Sequence, residues 1–355
     1  MDVVDLGGFR DGTSKQAVAD AILQSFTRVG FVYLKNYGLS PQQVATMFAV
    51  SKEFFALPLE LKQLAPHPPS GAHHRGYSSP GQEKILNFTI DGDILPHSRP
   101  VAPDVKEHFE CGHEGNDGMP NIWLPDGVLP GFRETCLEFY RVCHSIELEI
   151  CRALAVALRL PEDYFARHHT AADNQLRLLH YPSVPAEDLQ NETIQRISQH
   201  SDYGTITLLF QDDTGGLEIE DPGVPGLFRA RVFIIVSSSS LILLRWPADA
   251  AHTRHNHCQY RRLSAAMCVV PRSMCYDIPR HAHRAERHDQ ESHPSRACAA
   301  RKHDARRDGP REILHSIDSD SVVDCAPGTW DAERPKKYEP TSPGEYSRRR
   351  LAAAY

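Results

Sequence analysis

An excess of positive charge is missing from this sequence: 39 lysines and arginines stand against 46 aspartates and glutamates, a formal net charge of −7. That leaves no electrostatic footprint for nucleic acid or an anionic membrane. Long apolar runs are also missing. The longest, Val232 to Trp246, is too short to span a bilayer and is cut by Ser237–Ser240. The opening residues, MDVVDLGGFRDG, are acidic and lack the basic flank and apolar core of a signal or transit peptide. Nine cysteines fall at irregular spacings, which fits a reducing compartment better than a disulfide scaffold. What is left is the expectation of a soluble, cytoplasmic, monomeric protein. Its 355 residues suffice to bury a full core as one large domain or two smaller ones.

The first 230 residues carry regular patterning. VVDLGGF (3–9) reads as a short strand, and TSKQAVADAILQSFTRVG as an amphipathic helix stopped by Gly30. FVYLKNYG (31–38) returns as a strand. Ser40-Pro41-Gln42-Gln43 then offers an N-cap, a proline at the first helical position and a capping-box glutamine. Residues 65–130 are rich in Pro, Gly and His and read as long loops, RGYSSPGQEK (75–84) being the most ordered part. Helical periodicity returns over Glu134–Leu160. LRLLHYP (176–182) and ISQHSDYGTITLLFQD (197–212) follow as strands, and LEIED after Asp212–Gly216 reads as the return strand of a hairpin.

Within that last run, His200 and Asp202 stand one residue apart. On a strand, residues i and i+2 project to one side, so an imidazole and a carboxylate converge. With a second histidine they make the facial triad that holds Fe(II) and leaves one face open. His-x-Asp also occurs by chance, so the spacing alone does not decide.

The context does more. VVDLGGF, GFVYLKNYGLS (30–40), RGYSSPGQEK, LRLLHYP, HSDYGTITLLFQDDTGGLEIED and PGTWDAERPKKYEPTSPGEY (327–346) occur in that order. Together they resemble the iron(II)/2-oxoglutarate-dependent dioxygenase superfamily, in its isopenicillin-N-synthase-like branch. The resemblance implies a mainly β fold with flanking helices and a double-stranded β-helix (jelly-roll) core. It implies His200 and Asp202 as iron ligands, and Tyr181 as a hydrogen-bond partner of the distal carboxylate of 2-oxoglutarate. Fe(II), 2-oxoglutarate and O₂ would serve the hydroxylation, desaturation or ring closure of a small organic molecule, in secondary metabolism by analogy. Arg177 matches only a scaffold position. The expected partner is a small-molecule substrate, with neither nucleic acid nor membrane.

The pattern breaks after Asp221. The family would continue to a Ser-x-x-His-Arg-Val bearing the distal histidine and an Arg-x-Ser whose guanidinium grips the co-substrate. That ordered pair is absent. Residues 251–316 instead hold nine of the twenty histidines and twelve arginines against one lysine. In one reading His252, His255 or His257 is the third ligand, since His-rich tracts can bind metal. In another the segment is translated out of frame. Shifted by one nucleotide, residues 294–297 permit His-Arg-Val and residues 312–315 permit Arg-Tyr-Ser, in the family's order. This requires CCA at Pro294 before a TC-type serine codon, and GAG at Glu312. The run 232–246 reads as retained intron opening the error, with the frame restored near Asp318.

The expected organisation is therefore an N-terminal helix and strand region (1–115), then a helix with the first half of the jelly-roll (116–230). An aberrant segment follows (231–317), with a core disrupted after residue 230, and then a C-terminal segment (318–355). The functional alternatives are a catalytically inactive remnant of such an enzyme, lacking the distal His and the Arg-x-Ser, and a zinc chelator built on the His-rich segment.

Overall fold

The computed structural model describes residues 2–69, 73–82, 102–191, 193–200, 205–212, 217–221, 224, 228–230, 242–245, 258–260, 311–314 and parts of 318–343. Strand β1 (Val3–Asp5) is shorter than its apolar run suggests. Asp5 Oδ1 accepts from the Gly7 amide at 2.9 Å and turns the chain into the short helix α1 (Gly7–Arg10). Helix α2 (Lys15–Val29) buries Val18, Ala19, Ile22, Phe26 and Val29 at helical spacing. It ends where Gly30, at φ 80°, returns its amide to Phe26 O. Strand β2 (Phe31–Lys35) leads to α3 (Pro41–Ala56). There the capping box forms as the sequence indicates: Gln43 N donates to Ser40 Oγ at 3.2 Å, and Gln43 Oε1 accepts from Ser40 N at 2.9 Å.

After α4 (Leu59–Lys62), the stretch expected to be loops supplies two strands, β3 (Gly76–Ser78) and β4 (Glu107–Gly112). Helix α5 (Phe132–Ala157) follows, then β5 (Gln175–His180), α6 (Ala186–Gln190), β6 (Ile197–His200), β7 (Thr207–Phe210), β8 (Leu217–Glu220) and β9 (Phe228–Ala230). Beyond residue 230 the described strands are β10 (Ile242–Arg245), β11 (Cys258–Tyr260) and β12 (Arg311–Leu314).

Two sheets result. The larger runs β1-β2-β10-β7-β12-β5-β4-β3 and the smaller β6-β11-β8-β9. Apart from the parallel β1–β2 pair, the strand ladders are antiparallel. The hairpin expected between 207 and 220 is corrected here. β7 lies in the larger sheet, while β8 pairs with β9 and β11 in the smaller. The chain therefore passes from one sheet to the other between Phe210 and Leu217. The disruption expected after residue 230 falls mostly outside the described residues; the three short strands described there all join ladders. Asp318, where the frame was expected to return, accepts from Thr170 N, Thr170 Oγ1 and Ala171 N at 2.8–3.1 Å.

The helices cover one face of the larger sheet. Phe109 and Cys111 of β4 pair across to Leu178 and Leu176, and Phe109 meets Phe54 and Phe132 with ring centroids 5.0 Å away. Phe54 is fully buried and stacks on Phe132 at 4.8 Å. At the edge of this layer, Glu107 gathers Lys62 Nζ at 2.7 Å, Tyr77 Oη at 2.5 Å and His180 Nδ1 at 2.6 Å. Burial by itself would raise the Glu107 carboxyl, but the bonds from His180, Lys62 and Tyr77 outweigh it and hold the group below its ordinary value. A depressed folded-state value means stability that is complete above the unfolded value, near 4.5, and lost as pH falls through the folded one. Glu107→Gln is expected to cost about 3–5 kcal/mol at pH 7, because Lys62 stays buried without its partner charge. The gap to the native protein should narrow below about pH 4.5. Urea midpoints of both proteins at pH 7 and pH 4 check it; a gap independent of pH would show that Glu107 is not ionised in the fold.

Candidate metal and co-substrate site

Alternation along β4 and β5 places Phe109, Cys111, Leu176 and Leu178 against the helices. His108, Glu110, Arg177, Leu179 and, one step past β5, Tyr181 therefore belong to the opposite face. On that face Glu110, fully buried, receives Arg177 Nε on Oε1 at 2.5 Å, with Arg177 Nη2 on the same oxygen. Its other oxygen lies 3.6 Å from His74 Nδ1 and 3.7 Å from His108 Nε2. Burial would raise the Glu110 carboxyl, but Arg177, His108 and His74 hold it well below its ordinary value.

His67, His74 and Glu110 bring their donor atoms within 4.8 Å of one another, as do Glu147, Cys151 and His169. Neither trio makes a convincing cation site. The Arg177 guanidinium already neutralises Glu110 and would repel an ion. In the second trio both ring nitrogens of His169 are engaged, with Phe165 O at 2.9 Å and Thr205 Oγ1 at 3.0 Å. Glu147 Oε2 faces His144 Nδ1 at 3.0 Å and Asn174 Nδ2 at 3.3 Å. Sequence reasoning singled out neither cluster, since their members are scattered along the chain.

Of the residues expected to form the site, His200 is the last residue of β6, its backbone opposite Cys258 of β11. Extended backbone up to His200 is what a same-side His-x-Asp pair requires. Asp202 lies outside the described residues, as does the expected convergence of the two side chains; His252, His255 and His257 lie outside them as well. One imidazole and one carboxylate at this spacing are donors that suit Fe(II), so the residues present fit the ion as two of its three protein ligands.

Tyr181 is buried, with 1% of its surface exposed. Beside it comes Arg196, from the residue before β6, whose Nη1 donates to Pro182 O at 2.8 Å. Burial pushes the Arg196 guanidinium down and Tyr181 acts in the opposite sense. A buried phenol next to a half-buried guanidinium is a donor set that suits a carboxylate.

Comparison with known proteins bears on both halves of the chain. The family described as non-haem dioxygenase in morphine synthesis N-terminal matches residues 1–126, and the 2OG-Fe(II) oxygenase superfamily matches residues 172–271. Proline hydroxylase buaE of Petromyces alliaceus is 42% identical over 212 residues, 60% of this chain and 64% of its own. The chain thus spans just under two thirds of that relative's length. The 2-oxoglutarate-Fe(II) type oxidoreductase ppzD of Metarhizium majus is 35% identical over 268 residues, 70% of this chain and 76% of its own. Among solved structures, a full-length Neurospora crassa protein in complex with alpha-KG and thymine superimposes with a TM-score of 0.74 at 30% identity, covering 100% of this chain and 97% of that one. The names of these relatives speak for 2-oxoglutarate-dependent oxidation, and none lends support to the inactive alternative. Among the described residues no helix is long and apolar enough to cross a membrane.

Proposed function

Since the chain belongs to the 2OG-Fe(II) oxygenase superfamily, we propose that it is a 2-oxoglutarate-dependent dioxygenase oxidising a small organic molecule by hydroxylation, desaturation or ring formation. The family uses Fe(II), 2-oxoglutarate and O₂. The observation that carries the reading is the buried Tyr181, one step past β5, with Arg196 beside it just before the strand that ends at His200. His200 and Asp202 would hold the ion. When bound, it supplies the oxidising chemistry with 2-oxoglutarate and O₂, and succinate is the by-product. The protein's part is to bind and orient. Tyr181 would donate a hydrogen bond from its hydroxyl to the distal carboxylate of the co-substrate. A relative named as a proline hydroxylase and a solved structure holding thymine favour a small organic molecule as substrate.

The test is oxygen uptake and succinate release by the purified chain with Fe(II) and 2-oxoglutarate, with and without each component. Tyr181→Phe removes one hydrogen bond to a charged group and is expected to raise KM for 2-oxoglutarate by on the order of tenfold, with kcat changed much less. An unchanged KM would remove Tyr181 from the site. Turnover indifferent to 2-oxoglutarate would instead favour an oxidase that takes all its electrons from substrate.

A further inference from the structure

We propose that His169 is a positioning residue for the iron site: through Thr205 it fixes the far end of the segment that carries Asp202. The inference rests on the reading of His200 and Asp202 as metal ligands. Strand β6, which ends at His200, belongs to the smaller sheet, and β7, which begins at Thr207, to the larger. Asp202 therefore lies on the short connection 201–206 between the two sheets. Its near end is held by the ladder of β6 with β11. At its far end Thr205 and Ile206 are both buried. A metal ligand has to be held to within about 0.5 Å, so a connection of this kind needs both ends fixed.

Thr205 Oγ1 lies 3.0 Å from Nε2 of His169, which is fully buried and comes from the chain between α5 and β5. The carbonyl of Phe165, 2.9 Å from Nδ1, can only accept, so that nitrogen carries a hydrogen. In the neutral ring Nε2 then accepts from the threonine hydroxyl. Glu147 of α5 sets its Oε1 3.8 Å from the same Nε2. Its Oε2 is held by His144 Nδ1 at 3.0 Å and Asn174 Nδ2 at 3.3 Å. Thr205 is thus tied to the long helix and to the residue before β5, not to another loop. An apolar pair would fill the same space without the cost of burying an imidazole. What the polar pair adds is register. The bond needs a hydroxyl at residue 205, so a slip of one residue between the sheets breaks it.

Binding of Mn(II) alone to the full chain, read from the electron paramagnetic resonance of the free ion, tests this without turnover. Thr205→Val keeps the shape, removes the hydroxyl and is expected to weaken Mn(II) binding about tenfold. Thr205→Ser, which restores the hydrogen bond, should stay within about twofold of wild type. His169→Phe removes the bond from the other side; it should match Thr205→Val, and stands in for it where that variant does not fold. The double variant should bind no more weakly than either single one, because both remove one interaction. Thermal unfolding of the metal-free proteins is measured alongside, since a merely structural bond would lower that midpoint and leave Mn(II) affinity alone. Unchanged affinity in Thr205→Val and His169→Phe, in a chain that loses the ion on Asp202→Ala, would overturn this inference and leave the function standing. Losses that add in the double variant would overturn it too. A wild-type chain that binds no Mn(II), or binds it no better than Asp202→Ala does, would overturn the metal site and this inference with it.

Discussion

Succinate formation from 2-oxoglutarate is expected to fall to the assay background in Asp202→Ala and in His200→Ala. An ion held by two side chains one residue apart depends on both, since neither an imidazole nor a carboxylate alone fixes its position and open face. The effect should appear in metal content as well as in rate, so iron retained after desalting is the second measurement. Fold is not at issue in His200→Ala. His200 is the terminal residue of its strand, and its ladder contribution is made by backbone. Far-ultraviolet circular dichroism should therefore be unchanged. Succinate production persisting in Asp202→Ala would show that the metal lies elsewhere.

Phe54→Ala should be the most damaging single change to the fold, by about 3–5 kcal/mol. Its ring is fully buried and touches four others: Phe132 stacked at 4.8 Å, Phe109 at 5.0 Å, Phe55 at 5.2 Å and Tyr77 at 6.1 Å. These rings come from α3, α5, β3 and β4, so the cavity left behind would open a junction between helices and sheet. Neighbours anchored in different elements collapse poorly into such a space, which puts the cost at the upper end. Chemical denaturation followed by tryptophan fluorescence measures it. A loss below about 1 kcal/mol would mean that the aromatic layer repacks freely.

Local chemistry explains which elements could be read in advance. Helix α3 announces itself through Ser40, Pro41 and Gln43, whose roles are settled within four residues. Helix α5 and strands β5 and β7 follow from periodicity. Strand β4 was hidden because its charges are buried: His108 and Glu110 look like loop residues until Arg177 is found directly across the ladder, far along the chain. Glu107 misleads in the same way, its partners Lys62, Tyr77 and His180 coming from three other elements. The split of β7 and β8 between sheets was equally invisible, because a turn-rich pentapeptide serves a hairpin or a crossing equally well. At the site, the spacing of His200 and Asp202 and the Tyr181-Pro182 pair stand out as motifs. Arg196 does not, since only the return of the chain to Pro182 gives it meaning.

The position of β12 has a consequence for how the protein is made. Residues 311–314 lie between β5 and β7, with Glu312 opposite both Arg177 and Leu209. On the ribosome, β5 and β7 emerge long before the strand that separates them. Until it arrives they expose complementary, apolar edges that can pair with each other or with a neighbouring chain. Closing the sheet is therefore a late, long-range step, slow compared with the helices that form beside it. Yield during expression should depend on chaperones and temperature more than the finished fold's stability alone would suggest.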